Sequence, residues 1–138
     1  MIVVDTNVIA YLFLPSEFSA AARRVYELDS RWVAPLLWRS ELRNVLSVSV
    51  QQADLILQDA LEVMEAATDL MRGGEYEAPS DLVLQLAADS RCSAYDCEFV
   101  ALALELDVGL VTEDRRIHRA FGDTAVRLRE FTDERGGE

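Results

Sequence analysis

Short apolar runs bounded by Gly, Pro, Ser and Asp alternate along this chain with longer amphipathic stretches, and the alternation predicts an α/β protein. Ile2-Val3-Val4 with Asp5 reads as a short buried strand, after which Asp5-Thr6-Asn7 opens an apolar helix to about Leu14. Pro15-Ser16 breaks that helix, and Ser16 or Glu17 starts another to about Asp29. Arg31 to Ala34 is a second strand; Pro35 introduces a helix through about Val50, and an amphipathic helix from about Gln52 to Leu70 ends at Gly73-Gly74. Glu75 to Ala78 is a third, weaker strand, and Pro79-Ser80-Asp81 caps a helix to about Arg91. A helix from about Ala94 to Leu106 leads into the strand Gly109 to Val111. Helix Arg115 to Phe121 and strand Ala125 to Leu128 follow.

The pattern shows neither an internal repeat nor a linker, and 138 residues with 51% hydrophobic content suit one domain around one core. Residues 1–131 are taken as that domain, and the polar, Gly-rich stretch 132–138 as a frayed tail. The middle helices carry more apolar residues than one buried face needs: Leu36, Leu37, Trp38, Leu55, Ile56, Leu57, Leu61, Val63 and Met64. Such a surplus predicts a protein partner, here a homodimer. No apolar run is long enough to span a bilayer, and Met1-Ile2-Val3-Val4-Asp5 has neither a basic leader nor a cleavage site, so a soluble, cytoplasmic protein without a membrane partner is expected.

Charge and rare residues narrow the chemistry. All 13 basic residues are arginine. Without lysine, the phosphotransferase families that place an early-strand Asp beside an essential lysine are excluded in their usual form, as is a Walker P-loop. Asn7 also stands where the haloacid-dehalogenase pattern wants a second Asp. The net charge of −12 opposes phosphate backbones, which bound cations and arginine forks would offset. Cys92 and Cys97, five apart on a helix, point in different directions and read as reduced, half-buried packing residues. His118, the one histidine, lacks Cys or His partners at ligand spacing and reads as an exposed helix position, which argues against zinc.

Four acids remain: Asp5 and Asp114 just past the carboxyl ends of strands, Glu41 and Asp96 on helices. The carboxyl edge of a parallel sheet is where open α/β folds place their sites. Carboxylates crowded there repel one another and persist more readily when a hard cation such as Mg²⁺ or Mn²⁺ neutralises them. Each acid also has a plain reading, because the chain holds 25 acidic residues and Asp and Glu are common helix caps. Glu41 shares its face with Trp38, Asn44 and Val45, while Arg39 and Arg43 form an i,i+4 pair on the other side. It therefore either meets water or needs a partner. With Ser93 as N-cap, Asp96 falls at the third helical position, where it would serve a capping box, a site, or both.

Four segments together carry a resemblance: Ile2-Val3-Val4-Asp5-Thr6-Asn7-Val8; Ser40-Glu41-Leu42-Arg43-Asn44-Val45-Leu46; Ser93-Ala94-Tyr95-Asp96 leading to Phe99-Val100-Ala101-Leu102-Ala103; and Leu110-Val111-Thr112-Glu113-Asp114-Arg115-Arg116. In order and spacing they resemble the blocks of a PIN domain over about residues 1–130, and size and pattern are most similar to the VapC toxins of bacterial toxin–antitoxin pairs. The resemblance implies a three-layer α/β/α fold with a mainly parallel sheet of about five strands. It also implies a Mg²⁺- or Mn²⁺-dependent endoribonuclease that cleaves RNA phosphodiester bonds, and a cognate antitoxin whose tail covers the site. By block matching, Asp5, Glu41, Asp96 and Asp114 are the catalytic, metal-holding acids, with Thr6 or Asn7, Ser93 and Thr112 as supporting polar groups. Arg115, Arg116 and Arg119, directly after Asp114, are the candidates for substrate phosphate, with a solvated helix face as their plain reading. Two alternatives stay open: a PIN-like binding protein acting in a repressor complex with its partner, and a metal-dependent DNA nuclease. The intact acid set argues against the first, and the lack of room for helical insertions against the second.

Overall fold

A computed structural model describes residues 1–136. Its sheet has five parallel strands in the order β3-β2-β1-β4-β5. They are β1 (Ile2–Val4), β2 (Trp32–Pro35), β3 (Glu75–Tyr76), β4 (Leu110–Val111) and β5 (Ala125–Val126). Because parallel neighbours cannot be joined by tight turns, every connection carries helix. These are α1 (Thr6–Phe13) and α2 (Ser19–Leu28) after β1, α3 (Leu37–Gln51) and α4 (Leu57–Leu70) after β2, and α5 (Ser80–Ser90) and α6 (Ala94–Leu106) after β3. Then α7 (Arg115–Ala120) follows β4 and α8 (Leu128–Gly136) follows β5. The helices flank the sheet in a three-layer α/β/α arrangement.

β1 is the central strand and is wholly buried, as a strand covered on both faces must be. Val3 stands opposite Val33 on one side and Leu110 on the other, and Val4 opposite Val111. From β1 the chain moves outward to β2 and β3, then returns to β4 on the opposite side. That reversal puts a topological switch point between β1 and β4, where the carboxyl ends of the strands leave a crevice. Beneath it, α6 packs on the sheet with Phe99, Val100, Leu102 and Ala103 in the core, and Trp38, Leu42 and Leu46 bring α3 onto the same core.

All five expected strands are present; β2 keeps its expected length one residue further on, and the other four are shorter. The second amphipathic helix starts at Leu57, not near Gln52, because Ala53 adopts a left-handed conformation (φ 60°) that interrupts helix between α3 and α4. Gly74 is required by close approach: a Cβ there would sit 2.3 Å from the carbonyl oxygen of Trp32, where Ala34 N–H donates to Gly74 O at 2.9 Å. The stretch 132–138, polar by composition, continues helix α8 through Gly136. Phe131 anchors it in the core, and the Arg135 guanidinium lies over the Phe131 ring and 3.7 Å from Asp29. Gly137 and Glu138 lie outside the described residues. Cys92 and Cys97 are both free and both buried, Cys97 completely, so they are more enclosed than the sequence reading expects. Among the described residues no helix is long and apolar enough to cross a membrane.

Candidate active site

Asp5 lies at the crevice because β1 ends at Val4 and the next residue must turn the chain into α1. It is the N-cap of that helix, with Oδ1 accepting from Val8 N–H at 3.0 Å. Asp114 does the same one strand away, capping α7 through Oδ1 and the Ile117 N–H at 3.0 Å. Thr112, fully buried just past β4, joins the two: its hydroxyl donates to Asp5 Oδ2 and accepts from Asp114 N–H at 3.0 Å.

Glu41 and Asp96 face the same space from helices. Glu41 accepts a 2.8 Å hydrogen bond at Oε1 from the hydroxyl of buried Thr6. The α3 helix that carries it is held by Glu75 on β3, which accepts from Trp38 Nε1 at 2.9 Å and from both sides of the Arg39 fork at 2.5 and 2.6 Å. Ser93 is the N-cap of α6, taking the Asp96 N–H at 3.0 Å, as the sequence suggests. The reciprocal half of a capping box is not made. No hydrogen bond occupies the Asp96 carboxylate among the described residues, and it lines the cavity instead.

The result is a cavity of about 410 Å³ lined by Asp5, Glu41, Asp96 and Asp114 together with Thr6 and Asn7. Thr112 and Ser93 stand behind it, positioning the acids without lining it. Ser40, Asn44 and Val45 from α3 and Tyr95 and Phe99 from α6 also line it, with Leu37 and Ile117. Asn44 and Val45 are marked in the sequence by the helix face they share with Glu41, whereas Ser40, Tyr95 and Phe99 stand in the matched segments with no role assigned to them. Every ion pair among the described residues involves other acids, so none of the four cavity carboxylates has a cationic partner. Burial, reinforced by the charges of Asp114 and Glu41, raises the Asp5 carboxyl to about 6 against the lowering pull of its Thr112 and Val8 hydrogen bonds. Burial raises Glu41 as well, with Asp96 adding to it and Thr6 opposing, and nearby Glu98 is raised by burial and by Glu41.

Arg115, Arg116 and Arg119 are not in the cavity. They are exposed on the outer side of α7, where Arg115 and Arg119 share a separate depression with His118 and Arg127. The reason is helical phase: Ile117 is the α7 residue that turns inward to the acids. His118, read as exposed, is half-buried, and its Nε2–H donates to the Thr112 carbonyl at 2.6 Å.

A family model described as PIN domain matches residues 2–122. The chain belongs to the PIN-domain family. PIN domains are in general metal-dependent nucleases, so membership gives this chain a nuclease-type fold. Among solved structures, PAE2754 from Pyrobaculum aerophilum is similar in fold, with a TM-score of 0.76 at 18% identity over 99% of this chain and 97% of that one. No curated protein matches the chain.

The donor set of this PIN domain fits a hard divalent cation: four carboxylates and no soft ligand, mutually repelling and without a counter-charge. The carboxylates ring the cavity and do not converge on one point, since no group of three or more acidic, His or Cys side chains among the described residues stands ready to hold an ion directly.

Proposed function

We propose that this PIN domain is a Mg²⁺- or Mn²⁺-dependent endoribonuclease and the toxin of a toxin–antitoxin pair, similar to the VapC proteins. The observation that carries the reading is the convergence of Asp5, Glu41, Asp96 and Asp114, from four separate segments, on one cavity at the sheet's switch point with no cationic partner. These four residues would hold the cation. Bound there, it supplies an acidified water and a polarised phosphodiester oxygen for in-line hydrolysis, with no protein nucleophile needed.

The chain's own groups do the positioning. Thr112 fixes Asp5 relative to Asp114, and Thr6 fixes Glu41, so the carboxylates are aimed before substrate arrives. Asn7, exposed at the cavity wall, is a polar contact for substrate. Arg115, Arg116 and Arg119 take phosphates outside the cavity, on the flank of α7.

Control belongs to a cognate antitoxin that places an arginine among the carboxylates, because a guanidinium and a metal ion relieve the same repulsion. The net charge of −12 speeds that association at low salt. An apolar groove of about 410 Å³ between α3 and α4, lined by Leu46, Val50, Leu57, Ala60, Leu61 and Met64, supports a protein partner and a homodimer.

Purified protein should cleave RNA when Mn²⁺ or Mg²⁺ is added and stop when the metal is chelated, while Asp5→Asn keeps the fold and loses cleavage. Undiminished cleavage by pure Asp5→Asn would sink the assignment. Cleavage of DNA in preference to RNA would move the reading to a DNA nuclease. A chain that cleaves neither but represses transcription with its partner would move it to a binding protein.

A further inference from the structure

An aromatic side chain stands at the rim of the acid cavity in a place that packing does not explain. Tyr95, in the first turn of α6, lines the cavity beside Asp96 and yet is 63% exposed. The same helix buries Cys97 completely and Phe99 to 3% exposure, so the core is served without Tyr95. An aromatic ring left largely in water forgoes most of the stabilisation that burial would give it. Its hydroxyl has no hydrogen-bond partner among the described residues, so the ring is free to present a face.

A positively charged depression is built from the segment just before Tyr95 and from α7. Ser90, Arg91 and Cys92, just before α6, enclose a depression of about 370 Å³ with Arg116, Arg119 and Ala120 of α7. Two chain segments run from this depression into the wall of the acid cavity: Cys92 lies three residues before Tyr95, and Arg116 immediately precedes cavity-lining Ile117. Arg91, Arg116 and Arg119 are exposed and make no ion pair among the described residues, in a chain whose net charge is −12. Arg91 also ends α5 in the left-handed region (φ 64°), where glycine is the usual residue and an L side chain is disfavoured.

We propose that Tyr95 is a base-stacking residue and Arg91 a backbone contact for the strand being cut. One unpaired base lies on the Tyr95 ring, and the flanking phosphates meet Arg91 and Arg116. The inference rests on the nuclease reading above and adds what selects the substrate at that site. An acid cavity repels phosphate, so affinity at its rim is best supplied by an uncharged contact, and every base has a π-face that an aromatic ring can accept. A base inside a duplex has both faces covered. The ring therefore favours a single strand.

The test uses the full chain carrying Asp5→Asn, so that cleavage does not consume the probe. The probe is a fluorescein-labelled single-stranded oligoribonucleotide, followed by anisotropy in Mg²⁺. Adding Tyr95→Ala should weaken binding by about 5- to 150-fold, the range for loss of one base–aromatic stack, and Tyr95→Phe should stay within about twofold. Tyr95 is exposed, so neither change threatens the fold. A strand with abasic positions should bind the Tyr95 chain as weakly as intact RNA binds Tyr95→Ala. Arg91→Gln should lower the slope of log K against log salt by about 1, a change Tyr95→Ala should not make.

Equal binding with and without the ring overturns the proposal. So does a Tyr95→Phe chain as weak as Tyr95→Ala, or duplex bound as tightly as single strand. Cleavage by the chain with Asp5 restored separates the two readings. Tyr95-dependent binding without any cleavage sinks the nuclease and leaves the stack, and cleavage whose kcat/KM ignores Tyr95→Ala sinks the stack and leaves the nuclease.

Discussion

Thr112 and Asp5, 107 positions apart in sequence, share one hydrogen bond just behind the acid cavity, and the Thr112 hydroxyl passes on the contact by accepting the Asp114 N–H at 3.0 Å. One buried hydroxyl thus sets two of the four carboxylates, so the geometry of the site is tied to a residue that does not itself line the cavity.

Thr112→Val keeps the side-chain shape and removes the bridge. It leaves the Asp114 N–H and one Asp5 oxygen without their partner, which costs about 1–3 kcal/mol. Denaturant unfolding should show that loss, and Mn²⁺ titration should show weaker binding. Thr112→Ser should recover most of both. A Val variant with unchanged metal affinity would separate the bridge from the site.

Asp5 predicts a pH dependence whose sign follows from its raised carboxyl. The carboxyl titrates near 3.8 unperturbed and near 6 in the fold, so between those values the folded chain binds the extra proton. Stability of the metal-free protein therefore falls as pH rises from 4 to 6, by on the order of 1–3 kcal/mol from this group. Subtracting the pH–stability curve of Asp5→Asn isolates the effect, and saturating Mn²⁺ should flatten it. A difference curve that rises with pH would contradict the assignment.

Asp96 is the acid whose removal should cost the fold least, because no hydrogen bond occupies its carboxylate among the described residues and Ser93 alone caps α6. Asp96→Asn should leave the metal-free melting temperature near that of the parent. It should also reduce the gain in stability that Mn²⁺ gives the parent, about 2.7 kcal/mol at a hundredfold excess over Kd. An unchanged Mn²⁺ response would take Asp96 off the list of cation holders.

Glu75 should matter for Glu41 at a distance. Its carboxyl lies below the usual range chiefly because the Arg39 fork donates to it, with Trp38 helping. A lowered carboxyl stabilises the fold above its unfolded value of 4.5 and loses that contribution as pH falls through the lower, folded value. Glu75→Gln should therefore be less stable than the parent at pH 7 and converge with it in acid. It should also weaken Mn²⁺ binding, because α3 carries Glu41.

Ile56 at the N-cap of α4 and Leu57 and Leu61 within that helix are 66%, 62% and 56% exposed. Light scattering at micromolar concentration should give the mass of a dimer, and Leu57→Glu with Leu61→Glu should halve it with the fold intact. A parent that is monomeric throughout would count against the homodimer.

Local chemistry determined much of this in advance. The strands follow from short apolar runs, the Ser93 cap of α6 from residues that bond within one turn, and the ends of β1 and β4 place Asp5 and Asp114 by chain continuity alone. The segments around Glu41 and Asp96 added the remaining acids through the block pattern they form. What the chain order could not express is which distant groups take which partners. Arg39, next to Arg43 on the helix face, finds its acid on β3, 36 residues away. His118 gives its ring proton to a carbonyl at the end of β4, and Ala53 takes a left-handed turn that its composition does not demand. Helix α8 forms in a polar stretch because Phe131 has a core to enter, and Arg115, Arg116 and Arg119 face away from the acids because Ile117 takes the inward position. Short-range preferences act through bonds a turn apart and are written in the sequence. The cavity is a meeting of four segments, and its shape exists only once burial of β1 and α6 has brought them together.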